Sequence, residues 1–61
     1  MMTKREAKIE ALAAELTRLD AEATELHRVA EARPTIWNRE AAIKAGRAVM
    51  RMQRKLNVAR G

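Results

Sequence analysis

Apolar residues recur along the first half of the chain at Ile9, Leu12, Leu16, Leu19, Ala23, Leu26 and Ala30, in alternating steps of three and four. This spacing keeps one side of an α-helix apolar, with Ile9, Leu16, Ala23 and Ala30 at heptad a positions and Leu12, Leu19 and Leu26 at d. Alanine, leucine, glutamate and arginine dominate the segment, and all are strong helix formers. Thr3 with Glu6 three residues on has the form of a capping box. The pattern predicts a helix over residues 3–32.

Pro34 breaks it. A residue before proline is pushed out of the α region, so Arg33 leaves the helix. Thr35 or Asn38 can cap a new helix, which predicts a turn at 33–35, a second helix over 36–57 and a frayed tail at 58–61. So short a connection favours an all-α antiparallel hairpin as a single domain. The alternative is one long helix kinked at Pro34, disfavoured because proline costs a helix interior about 3 kcal/mol.

The second helix is patterned on several sides. Ala42, Ala45, Val49, Met52 and Leu56 step by three and four along one face. Lys44, Arg47, Arg51 and Arg54 step likewise along the opposite face, since a residue two positions on lies about 200° around the helix. The hairpin core is therefore expected to be Ile9, Leu12, Leu16, Leu19 and Leu26 against Val49, Met52 and Leu56. Ile36, Ile43, Gly46 and Met50 form a second apolar line, displaced by about 100°. Together with Trp37 that line stays uncovered in a lone hairpin, and an exposed row of this kind marks an association surface. The expectation is a C₂ homodimer, a four-helix bundle, with its central helix undetermined.

Size and composition support self-association. A chain of 61 residues buries a modest share of its surface. Without cysteine, and with His27 as the single histidine, neither disulfides nor a Cys- or His-rich metal site can staple it. The net charge of +5 is uneven: residues 1–33 carry six Lys/Arg and seven Asp/Glu, whereas residues 34–61 carry seven Lys/Arg and only Glu40. The longest apolar run, Ala11–Ala14, is far short of a membrane span or signal-peptide core. A complete, soluble, cytoplasmic protein is the expectation, in a host cytoplasm if it is phage-encoded.

The basic residues Lys44, Arg47, Arg51, Arg54 and Lys55 invite two readings. One is a face for an acidic or phosphate-bearing partner. The other is a solvated face, partly neutralised by acids of the first helix such as Glu15, Asp20 and Glu22. Trp37, directly after the turn, reads as a plug for the open end of the hairpin or as an interface anchor. Gly46, beside Ala42 and Ala45, reads as a close helix–helix approach where a side chain would clash or as a tolerated surface glycine. His27 reads as structural or superficial, and Met50 and Met52 as filler of a core or interface.

Catalysis is argued against. There is no Ser, Cys or Tyr nucleophile, no glycine-rich phosphate loop and no enclosed site to shift a carboxylate pKa. No cofactor, metal or small-molecule substrate is expected, and a membrane-surface role fits the Ala- and Met-rich apolar face poorly. With Trp37 as the only aromatic residue, stacking on single-stranded nucleic acid is also disfavoured. The hairpin plan resembles that of the plasmid Rop family, dimeric four-helix bundles that bind paired RNA loops; the likeness is of architecture, with no shared motif and no residue to carry over. In size and plan the chain is also similar to accessory proteins of phages and mobile elements that bind and block host machinery. The function expected is binding and modulation of another protein. The alternative is a dimer that binds duplex DNA or folded RNA through the basic face.

Overall fold

The computed structural model describes residues 1–61, and both ends of its first helix follow from local chemistry. Helix α1 spans Lys4–Ala32. The Thr3 hydroxyl accepts from the Glu6 backbone N–H at 3.1 Å, and the Glu6 carboxylate accepts from the Thr3 N–H, completing the capping box. At the other end Arg33 leaves the helix while its N–H still bonds to the Val29 carbonyl at 2.8 Å. The Thr35 N–H then bonds to the Arg33 carbonyl at 2.8 Å, a three-residue turn around Pro34 that reverses the chain.

Helix α2 spans Ile36–Arg60. Thr35, rather than Asn38, is its cap: the Thr35 hydroxyl accepts from the Asn38 N–H at 3.1 Å. The Asn38 side-chain amide reaches back to the Arg33 carbonyl at 2.8 Å and closes the turn from within. The frayed tail expected at 58–61 is not found; Val58, Ala59 and Arg60 are helical. Ala59 continues the buried face of α2, and the Arg5 guanidinium donates to the carbonyls of Ala59 and Arg60. Those carbonyls have no partner within the helix, so a cation there satisfies them and complements the helix dipole.

The two helices lie antiparallel in a rod of 47 × 18 × 12 Å. The α1 positions expected in the seam, from Ile9 to Ala30, are all buried or half-buried. They face an equivalent row on α2: Asn38, Ala42, Ala45, Val49, Met52, Leu56 and Ala59. The expected hairpin is thus observed, rather than one long helix kinked at Pro34. Yet the core is slight. Only Ala23, Ala42 and Leu56 are buried, at 7%, 5% and 4% exposure, and no side chain is wholly removed from solvent. The accessible surface is 5100 Å², against about 4,000 Å² for an ordinary folded monomer of 6.9 kDa. Neither helix is long and apolar enough to cross a membrane.

Candidate functional site: the outer face of the second helix

Packing of the Ala42–Leu56 row on α1 turns the opposite side of α2 outward. Lys44, Arg47, Arg51, Arg54 and Lys55 are all exposed. None of them has an acidic partner, and no ion pair links the two helices. Three acids of α1 are engaged within their own helix, Glu15 and Glu22 with Arg18 and Glu25 with Arg28, and Asp20 pairs with no cation. The Arg18 hydrogen bond holds the Glu15 carboxyl below the usual carboxylate range, and Arg28 does the same to Glu25. Neutralisation of the basic face by α1 is therefore corrected. Lys44, Arg47 and Arg51 point away from α1, and where Arg54 and Lys55 do approach it they meet Lys8 and Leu12 rather than an acid.

Apolar side chains are interleaved with these charges. Arg47, Arg51 and Arg54 border a shallow depression with Met50. A second depression lies near the termini, floored by Leu12, Val58 and Ala59 and rimmed by Lys8, Arg54 and Lys55, with no carboxylate in its lining. Val58 is missed when residues 58–61 are read as a frayed tail. Its signal is the spacing, since it lies four residues beyond Arg54 and seven beyond Arg51 on the same side of the helix.

Ile36, Trp37, Ile43 and Met50 are exposed, as the second apolar line requires. Two details differ from expectation. Trp37 does not plug the hairpin; it is 79% exposed, because Asn38 occupies the seam position at that level and Trp37 points away from it. Gly46 does not mark a place where a side chain would clash. It is half-buried rather than on the open surface, and a methyl group there would meet only His27 Cε1, at 3.8 Å. Met50 and Met52 also part company: Met52 is half-buried in the seam and Met50 is exposed.

The Gly46 side of the hairpin carries a groove. It begins beside Pro34 and Ile43, passes His27 and Gly46, and reaches Leu16 and Gln53. His27 lies within it and donates from Nδ1 to the Ala23 carbonyl at 2.8 Å, a structural use of the ring. No group of three or more His, Cys, Asp and Glu is arranged to hold a metal ion. Comparison with protein-family models, curated proteins and solved structures finds no match for this chain.

Proposed function

We propose that this protein is a non-enzymatic, dimeric helical hairpin that binds and modulates another protein through the outer face of α2. The observation that carries this reading is the company kept by the cations. Lys8, Arg54 and Lys55 surround Leu12, Val58 and Ala59, with no acid in the lining. Such a surface fits a partner segment that alternates acidic and apolar side chains. Apolar contacts would supply most of the affinity, and the arginines partner choice and association rate.

The dimer is supported by area. The protomer exposes about 1,100 Å² more than an ordinary monomer of its mass. Burying that much on each of two copies falls within the range of stable interfaces. The large apolar residues left exposed, apart from Met1 and Met2, all belong to α2.

The unpaired cations also favour a second reading, a dimer that binds duplex DNA or folded RNA. Phosphate contacts need no apolar residues between the charges, so Val58 has no role there. Titration of the protein against duplex DNA, duplex RNA and a stem-loop separates the two. The protein-partner reading expects only weak binding that disappears at moderate salt. It also expects a partner retained on immobilised protein to be lost on Val58→Asp and on Arg51→Glu. Tight nucleic-acid binding at moderate salt, abolished by Arg47→Ala and Arg51→Ala but not by Val58→Asp, would overturn it.

A further inference from the structure

We infer that the second copy of the chain sits on the grooved flank of the hairpin, with its α2 against α1 and both turns at the same end of the bundle. This rests on the dimer proposed above and adds its face and orientation. The groove has an apolar floor, to which Ala23, Ala30, Ala42 and Val49 contribute, and it lies beside the exposed Ile43. Met50 follows Ile43 after two turns on the same side of α2. The Thr17 and Thr24 hydroxyls on the α1 lip are spent on the carbonyls of Ala13 and Asp20, so that lip demands no further hydrogen-bond acceptor from an occupant.

Charge then chooses the orientation. The α1 lip carries Asp20 and Glu31, neither of them in an ion pair, while its one cation, Arg28, is tied to Glu25. The α2 lip carries Arg39, level with Glu31. A two-fold axis parallel to the helices sets the acidic lip of each copy against the basic lip of the other, bringing Glu31 opposite the second copy's Arg39. It also lays the ridge of Ile43 and Met50 over the α1 side of the second groove. A two-fold axis perpendicular to the helices instead sets acid against acid and base against base, which costs stability. The Lys44–Lys55 face stays outside in the first arrangement, free for a partner.

A charge swap in trans tests this. Glu31→Arg and Arg39→Glu each place like charges across the inferred interface, so each homodimer should weaken by about tenfold, while the mixed pair regains both attractions and outcompetes either homodimer. A repair confined to one protomer cannot produce that preference. A spin label at Arg33→Cys, in the turn, gives an independent readout. The expected separation in the wild-type background is well under half of the 47 Å length of the rod. A dimer whose labels lie near that full length apart, with no preference for the mixed pair, overturns the orientation and leaves the dimer standing. A mass that stays near 6.9 kDa at all concentrations overturns both.

Discussion

The guanidinium of Arg5 lies 3.0 Å from the carbonyl oxygen of Arg60 and 3.3 Å from that of Ala59, so the start of α1 caps the end of α2. These residues are separated by almost the whole chain, and their contact reports the antiparallel register at the end remote from the turn. Arg5→Ala is expected to fray the last turn of α2 and to destabilise the hairpin by about 1 kcal/mol, the net worth of such exposed bonds. Amide hydrogen exchange should show lost protection from Val58 to Gly61 with little change near Pro34. Unaltered exchange there would mean that α2 holds its end without the clamp.

Leu56 is the largest of the three buried residues, at 4% exposure. Removing its side chain leaves a cavity in a core that has few other contacts to lose. Leu56→Ala is expected to cost about 2–3 kcal/mol in denaturant unfolding, at the low end for buried leucine because a thin hairpin can relax around the gap. Met52→Ala, in a half-buried position, should cost less. The reverse order would place the centre of the core elsewhere.

The hairpin was legible because three signals agree: heptad spacing from Ile9 to Ala30, the Thr3–Glu6 capping box and the break at Pro34. The end of α2 was not, because Arg5 stabilises it through a contact between distant parts of the chain, which no local pattern encodes. The exposure of Trp37 was legible in the uncovered apolar line, and only its reading as a plug fails. Proximity to the turn suggested a plug, but the helical phase set by Thr35 as cap assigns the seam to Asn38. The basic stripe was readable from spacing alone. That its charges lack partners was not, since this depends on Glu15, Glu22 and Glu25 being held by arginines of their own helix.

His27 is the only neighbour that a side chain at Gly46 would meet, at an ordinary contact distance. Glycine therefore weakens α2 without being required by the protomer. Gly46→Ala should raise stability by about 0.5–1 kcal/mol in thermal unfolding at concentrations low enough to keep the protein monomeric. A loss confined to concentrations at which it dimerises would show that the second copy approaches the Gly46 backbone closely.

The pairs of Glu15 with Arg18 and of Glu25 with Arg28 make the helix sensitive to acid. Both carboxyls are held low in the folded state, first by the arginine hydrogen bond and then by its charge. A depressed folded pKa contributes stability that is complete above the unfolded carboxylate value of about 4.3 and is lost as the pH falls through the folded value. The helical signal contributed by these pairs should thus be level from neutral pH down to about pH 5 and decline below about pH 4. The groups are largely exposed, so the decline should be small and shrink further at high salt. Circular dichroism of an Arg18→Ala, Arg28→Ala double variant checks the assignment, because that protein should lose this part of the acid sensitivity. An identical acid profile would place it in other carboxylates.

Trp37 lies about 120° around α2 from Ile43 and shares its side of the helix with Lys44, seven residues on. At 79% exposure it contributes little to the hairpin, and Trp37→Ala should change unfolding stability by no more than about 0.5 kcal/mol. The same geometry separates its two proposed neighbours. A second copy seated on the grooved flank leaves Trp37 uncovered, whereas a partner whose contact extends along the basic face past Lys44 to the turn covers it. Indole emission should therefore be red-shifted and freely quenched by acrylamide, and should stay so as concentration drives dimer formation. Addition of the protein partner should shift the emission to the blue and protect the ring. Protection that tracks dimerisation alone would move the interface between copies onto the Trp37 side of α2, and the basic face with it.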